Sequence, residues 1–353
     1  MKFKWLAFVL LEALISLLGC QSAETDKTLI RVISKEGVGY IDEMGNWVVK
    51  PQFVEADFFS EGLARVKSMN GKWGFIDKSG KMVVQPQFEG AVNFSEGLAA
   101  VAIGGKLCFI DKTGKVVIKT QDVLWENEFS EGLCAVDRDG KWAFIDRTGK
   151  TVIPPKFWDR SYTVASEGLI GAAMVVSDQT VRLGYFDKAG NLVFEPNFNS
   201  RKRFDGLVPF SEGLAPFFNN DKLVFLNKKG EETIKTQFDG GYSFSEGLAP
   251  VNLNDKWGFI DKSGKTVIQL QFDYAGGFSN GLAKVQKDGK FGVINKSGEM
   301  LVQPKFDKVL IYQGVIVVET DKKCGIVDKT GKYLVSPQSD WYMDEMDWHR
   351  WVK

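Results

Sequence analysis

Six glutamates recur in one setting, Ser-Glu-Gly-Leu, at Glu61, Glu96, Glu131, Glu167, Glu212 and Glu246, and a seventh copy carries Asn280. A second carboxylate recurs three residues ahead of a glycine, at Asp42, Asp77, Asp111, Asp146, Asp187, Asp261 and Asp328, with Asn227 and Asn295 completing that set. A row of carboxylates could hold a cation, and two carboxylates close in space could share the acid and base roles of glycoside cleavage. Comparison among the copies argues against both. A metal ligand or general acid suffers when Asp becomes Asn, whereas a turn side chain accepting backbone N–H bonds does not. Asp77 and Asp261 are therefore read as turn caps, and the glutamate row as structural turns. The aromatic position of the repeat reads Val38, Trp73, Leu107, Trp142, Leu183, Leu223, Trp257, Phe291 and Cys324. Any apolar side chain serves there, so Trp73, Trp142 and Trp257 are assigned to core packing rather than to a stacking ladder for sugars or bases.

Other chemistry is harder to assemble. His349 is the only histidine, and no Ser/His/Asp or Cys/His set, metal-ligand cluster or phosphate-cradling glycine loop can be built around it. Lys+Arg and Asp+Glu both number 45, so no net field draws the chain to nucleic acid. Arg201-Lys202-Arg203 is the one basic cluster and reads as a solvated loop. The expectation is a protein that is not an enzyme, needs no cofactor or metal and binds no nucleic acid.

The elements that carry these residues repeat. From Asp42 to Asp328 the turn carboxylate or its amide returns every 33 to 35 residues, except for the two intervals of 41 and 40 that flank Asp187. A fixed period of this size marks a repeat architecture, in which neighbouring units complete one another's core. Within one unit, Leu63-Ala64-Arg65-Val66 is β-prone, Lys72-Trp73-Gly74-Phe75-Ile76-Asp77 follows a polar connection, and Lys78-Ser79-Gly80 turns the chain into Met82-Val83-Val84-Gln85-Pro86. Asp first and Gly80 last suit a type I turn closing into a bulge, while Ser60-Glu61-Gly62 brings the chain back for the next unit. Each of nine units of ~35 residues thus reads as an antiparallel three-stranded meander. Both faces of the middle strand are apolar or small, and the bare Gly74 is expected to let a neighbouring sheet approach. Because the first unit (Leu29 to Pro51) and the last (Val315 to Pro337) both look complete, the expected all-β fold is an open, curved β-solenoid-like array. A closed β-propeller is the alternative.

The recurring FSEGLA, GKWGFIDKSGK and VVQPQF elements resemble the WG (KWG) repeat family of bacterial proteins. The resemblance spans residues 29 to about 337. It implies a β-rich repeat module with no common catalytic activity or cofactor.

Residues 1–19 form a basic start and a short apolar run suited to a signal peptide. Leu17-Leu18-Gly19-Cys20 resembles the lipobox of bacterial lipoproteins, which implies diacylation of Cys20, cleavage after Gly19 and acylation of the new amino terminus. Residues 20–28 would then be the acylated cysteine and its tether, and the membrane would be a partner through the lipid alone. The expected address is the cell envelope, at the outer membrane if two membranes exist, with secretion as the alternative. Cys108, Cys134 and Cys324 occupy repeat positions that suit small buried hydrophobes, with a Cys108–Cys134 bridge as the alternative.

The functional expectation is a non-catalytic, envelope-anchored module that binds a protein, peptide or glycan. A glycan-cleaving envelope enzyme using paired carboxylates and a pure scaffold are the alternatives. The candidate surface is the irregular stretch 158–208, with Trp158, Arg201, Lys202 and Arg203, whose extra residues are expected in loops at 171–181 and 199–208. Residues 338–353 abandon the repeat, concentrate aromatics and suggest a short C-terminal helix that caps the last sheet.

Overall fold

The computed structural model describes residues 28–120, 122, 128–158, 165–177, 180–196, 207–338 and 341. The described residues are strands and turns without a helix, so the chain is all-β. Nine antiparallel meanders are distributed over eight hydrogen-bonded sheets. One sheet is six-stranded because the meanders over 133–158 and 169–194 are joined through the single pair Phe157–Met174.

The turn chemistry sets the register. Asp77 Oδ1 accepts from the amides of Ser79 (2.9 Å) and Lys81 (3.0 Å) and from the Ser79 hydroxyl (2.6 Å). Gly80, at φ +85°, closes the turn with a 2.9 Å bond to the Asp77 carbonyl. The extra residue shifts the ladder by one step, so that Phe75 pairs Val84 while Ile76 pairs Met82. Asn227 and Asn295 make the same two amide bonds through Oδ1.

The glycine after the aromatic position has a different task from the one its sequence suggests. A Cβ on Gly74 would lie 2.5 Å from the Val84 carbonyl oxygen and 2.8 Å from Pro86 N, both in the next strand of its own sheet. That strand, Met82–Phe88, bulges across from Gly74, with Trp73 opposite Phe88 and Phe75 opposite Val84. Gly39, Gly258, Gly292 and Gly325 face the same bulge. Where the position is Cys108 or Val224, it pairs directly with Lys119 or Lys235, where the strand ends, and the same offset is regained beyond it as Leu107 and Leu223 donate to the Asp122 and Phe238 carbonyls. The small residue thus admits a bulge in its own sheet, not a neighbouring sheet.

Five of the nine meanders also acquire a strand that was not expected. Two residues such as Glu55–Ala56 pair with Lys67 and Val66, giving the sheet order Glu55–Ala56, Leu63–Lys67, Trp73–Asp77, Met82–Phe88. Gly90–Ala91, Gly240–Gly241, Tyr274–Ala275 and Lys308–Tyr312 do the same for their units. Apart from the apolar run Lys308–Tyr312, these two-residue segments carry no β signature, and only the adjacent ladder makes them strands. The strand at the other edge alternates exposed and buried residues, with Val83 38% and Val267 42% exposed, so it lies on the perimeter.

The array closes on itself, correcting the open arrangement. Gly80 sits against Val49 of the unit before, Gly114 against Val84, and so on around the chain to Gly331 against Val302. Gly45 of the first unit sits against Val335 of the last. Ile30, Val32 and Ile41 share one buried cluster with Leu310, Val317, Ile326 and Val335. The first and last units are indeed both complete, but they meet face to face through side chains, which makes a closed β-propeller without a shared blade. The bare terminal face that called for a cap is covered by the first unit. Trp341 packs on Trp47 over this seam, with ring centroids 5.8 Å apart at 74°. The helix expected over 338–353 otherwise lies outside the described residues.

Candidate functional site

Leu63 pairs with Asp77, so the Ser-Glu-Gly-Leu turns and the Asp-x-x-Gly turns share one end of every blade. The first is a two-residue turn with φ +52° at Glu61 and +87° at Gly62, the two positive values of a type I′ hairpin. Its side chains reach the next blade. Ser60 donates to the Phe94 carbonyl at 2.7 Å, and the link repeats from Ser95, Ser130, Ser166, Ser211 and Ser245. The Glu61 carboxylate accepts the Gly97 amide at 3.0 Å, a link repeated by Glu96, Glu131, Glu167, Glu212 and Glu246. Lysines of the neighbouring turns add to it: Lys112 meets Glu61 at 3.3 Å and Lys262 meets Glu212 at 3.1 Å. Burial pushes the Glu212 carboxyl up, but Lys262 and the Gly247 amide outweigh it and leave the pKa lowered. The glutamate row is a hydrogen-bonded belt that joins blades.

The opposite end carries a second set of carboxylates that the sequence did not single out. Asp273 accepts from Lys256 Nζ of the blade before (2.7 Å) and from the Asp288 amide of its own blade (2.7 Å). Asp307 does the same with Lys290 (2.6 Å) and Asp321 (2.8 Å), and Asp239 with Lys222 (2.8 Å) and Asn254 (3.1 Å). The hydrogen bond from each lysine holds Asp273 and Asp307 below the ordinary carboxylate range and raises Lys256 and Lys290. The available signal was an Asp directly after Gln-Phe or Lys-Phe in units whose aromatic position follows a lysine.

The remaining candidates fall in different places. Asp77 and Asp261 are half-buried turn caps, lowered chiefly by the Ser79 and Ser263 hydroxyls. Trp142 is buried, whereas Trp73 and Trp257 are half-buried at the hairpin end. Arg65 lies 4.9 Å and Lys67 5.5 Å from the Trp73 ring centroid. Cys108, Cys134 and Cys324 are free and buried, so the Cys108–Cys134 bridge is absent, and desolvation pushes the Cys108 and Cys134 thiols up. Among the described residues no group of three metal-ligating side chains gathers. Residues 169–177 and 180–187 form a long hairpin, so the extra residues placed in a loop at 171–181 mostly extend strands. Cys20, Arg201, Lys202 and Arg203 lie outside the described residues, as does the side chain of Trp158.

Among solved structures, a crystal structure of a eukaryotic initiation factor is similar over 91% of this chain and 98% of that chain, with a TM-score of 0.60 and 12% identity. At that identity the likeness is one of fold. BamB from Moraxella catarrhalis is similar over 75% of this chain and 93% of that chain, with a TM-score of 0.43 and 13% identity. No curated protein matches the chain. The model of the WG containing repeat matches residues 39–73, 73–106, 142–159, 184–222, 225–257, 257–291 and 291–324. These segments cover more than half of the sequence: the chain belongs to the WG-containing repeat family.

Proposed function

We propose that this protein is a non-catalytic binding module, carried at the cell envelope by lipid on Cys20. The observation that supports it is the belt: the carboxylates that recur most regularly are spent on Gly97, Gly132, Gly168, Gly213, Gly247 and Gly281 of the following turns. A glycosidase needs two carboxyl groups facing one substrate bond with the freedom to give and take protons. The repeated glutamates instead accept backbone amides and lysines, a role that builds a rigid ring. Rigid rings of this kind present loops and hairpins on two broad ends, where recognition is usually carried.

Two measurements test the reading. Fatty-acid labelling of the full chain is expected in the parent and absent in Cys20→Ser, and equal labelling would remove the anchor. Incubation with a panel of envelope glycans and peptides is expected to give saturable binding with no product formed. Turnover of any polymer on that panel would replace the binding module with an enzyme.

A further inference from the structure

One stretch of the ring carries side chains that the repeat does not need. Tyr242 lies on Trp257 with ring centroids 5.2 Å apart and planes 15° from parallel. Trp257 meets Tyr274 of the next blade at 5.8 Å, and Tyr274 meets Phe291 at 6.3 Å. All four rings are half-buried. In the other described units, the position of Tyr274 holds Glu55, Gly90, Gly240 or Lys308, and that of Tyr242 holds Asp57, Val92, Gly276 or Leu310. Blade packing is completed there without an aromatic ring. The two tyrosines also exchange places with glycine: Gly240-Gly241-Tyr242 in one blade faces Tyr274-Ala275-Gly276 in the next.

The polar atoms of this row are idle. Among the described residues neither the Tyr242 hydroxyl, the Tyr274 hydroxyl nor the Trp257 indole N–H has a protein partner, and none of the three atoms is buried. Elsewhere in the ring the tyrosine hydroxyls of Tyr40 and Tyr185 are committed, to the carbonyls of Asp57 (2.5 Å) and Val208 (2.6 Å). Aromatic side chains with one apolar and one wet end are the usual furniture of recognition surfaces.

We propose that Tyr242, Trp257, Tyr274 and Phe291 form a binding subsite for a neutral glycan chain, an inference that rests on the binding-module reading. A sugar ring presents C–H groups on its faces and hydroxyls around its edge, which matches flat aromatic rings bordered by groups that donate and accept. Charge selects the neutral class. Asp273, directly before Tyr274, is paired with Lys256, Asp239 and Asp307 along the same end are paired with Lys222 and Lys290, and Lys284 Nζ lies 5.8 Å from the Tyr274 ring centroid, so neither a polyanion nor a polycation meets an unmatched field. An extended proline-rich peptide would also stack on such rings, but it offers mainly carbonyl acceptors and would leave the accepting capacity of both phenols unused.

The test is calorimetric titration of the full chain with neutral hexasaccharides of glucose and of N-acetylglucosamine, alongside a proline-rich decapeptide. At least one hexasaccharide is expected to bind. The Tyr242→Phe/Tyr274→Phe variant, which keeps the rings, is expected to bind it about tenfold more weakly, the loss of two modest hydrogen bonds, with an unchanged thermal midpoint. Equal affinity in that variant would place the glycan elsewhere and overturn the subsite, while leaving the module a binder. Binding of the decapeptide alone would likewise overturn the glycan assignment and keep the binding module. Silence toward every hexasaccharide at about 1 mM, the weak end of specific binding, would end the glycan inference too.

Discussion

Tyr312 packs its ring on Phe58 with centroids 4.6 Å apart and turns its hydroxyl toward the Phe59 carbonyl at 3.5 Å. In six other blades the corresponding link runs from a serine of the Ser-Glu-Gly-Leu turn to the carbonyl just ahead of the next turn. Tyr312 occupies the serine position of the last turn, Tyr312-Gln313-Gly314-Val315. The next inner strand it meets belongs to the second unit, because among the described residues the first unit supplies only Ile30–Ser34, Gly37–Ile41 and Trp47–Phe53 to its sheet. A longer side chain spans the gap that a serine could not.

Replacing Tyr312 by Ser restores the common turn residue but empties this space. The variant is expected to lose about 3–5 kcal/mol in denaturant unfolding, as for deletion of a large buried ring, whereas Tyr312→Phe should lose no more than ~1 kcal/mol. In an open array Tyr312 would border solvent, so a silent Tyr312→Ser would contradict the closed ring.

The bulge opposite Gly258 makes a second prediction. A Cβ there would lie 2.4 Å from the Ile268 carbonyl oxygen, so the perimeter strand must shift to admit one, and a branched side chain needs a larger shift than the single Cβ of Ala143 at the same position. Gly258→Val is expected to cost about 1–3 kcal/mol or more from overpacking. Val224 occupies the same repeat position but pairs directly with Lys235, whereas no residue pairs with Gly258. The cost therefore tracks whether the facing strand pairs with the position or arches over it, and comparable stability of Gly258→Val and the parent would refute it.

Along the belt, Glu131 accepts the Gly168 amide at 2.8 Å, and its backbone carbonyl accepts from Lys188. Glu131→Ala should cost about 1 kcal/mol, while Glu131→Gln, which keeps one acceptor oxygen, should stay near the parent. At Asn280 the belt lapses, with Asn280 Cβ beside Gly314. Asn280→Glu is expected to raise the unfolding midpoint slightly, by under ~1 kcal/mol; a clear drop would mean that Gly314 is out of reach of the carboxylate.

Acid sensitivity follows from the depressed carboxyls. Asp77, Asp111, Asp146, Asp261 and Asp328 are lowered by turn hydroxyls, and Asp273 and Asp307 by lysines. Each binds protons less readily folded than unfolded, so its contribution is full above the unfolded value of about 3.9. It is lost as pH falls through the lower folded value. Stability measured by thermal unfolding should stay flat from neutral pH to about 5 and fall below about 4. A decline beginning above pH 6 would point to groups other than these carboxyls.

Local chemistry was legible because it is settled within a few residues. The Asp-x-x-Gly turn needs one side-chain acceptor and one residue tolerant of positive φ, so Asp77 and Gly80 could be assigned without their neighbours, and Asn227 and Asn295 told the same story. The repeat period and the alternation of the three longer strands likewise follow from the chain alone. Other features depended on partners far away in sequence. Glu55–Ala56 becomes a strand only because Val66 and Lys67 offer a ladder, and Gly74 finds its reason in a bulge ten residues on. Trp257 belongs to a row only because Tyr274 comes from the next blade. Closure was the most distant of all. A small angle between successive blades, set by side-chain packing such as Val49 on Gly80, must accumulate until Gly45 meets Val335. Nothing within one repeat encodes that sum: the amino-acid sequence determined the blade, and the tertiary structure decided the ring.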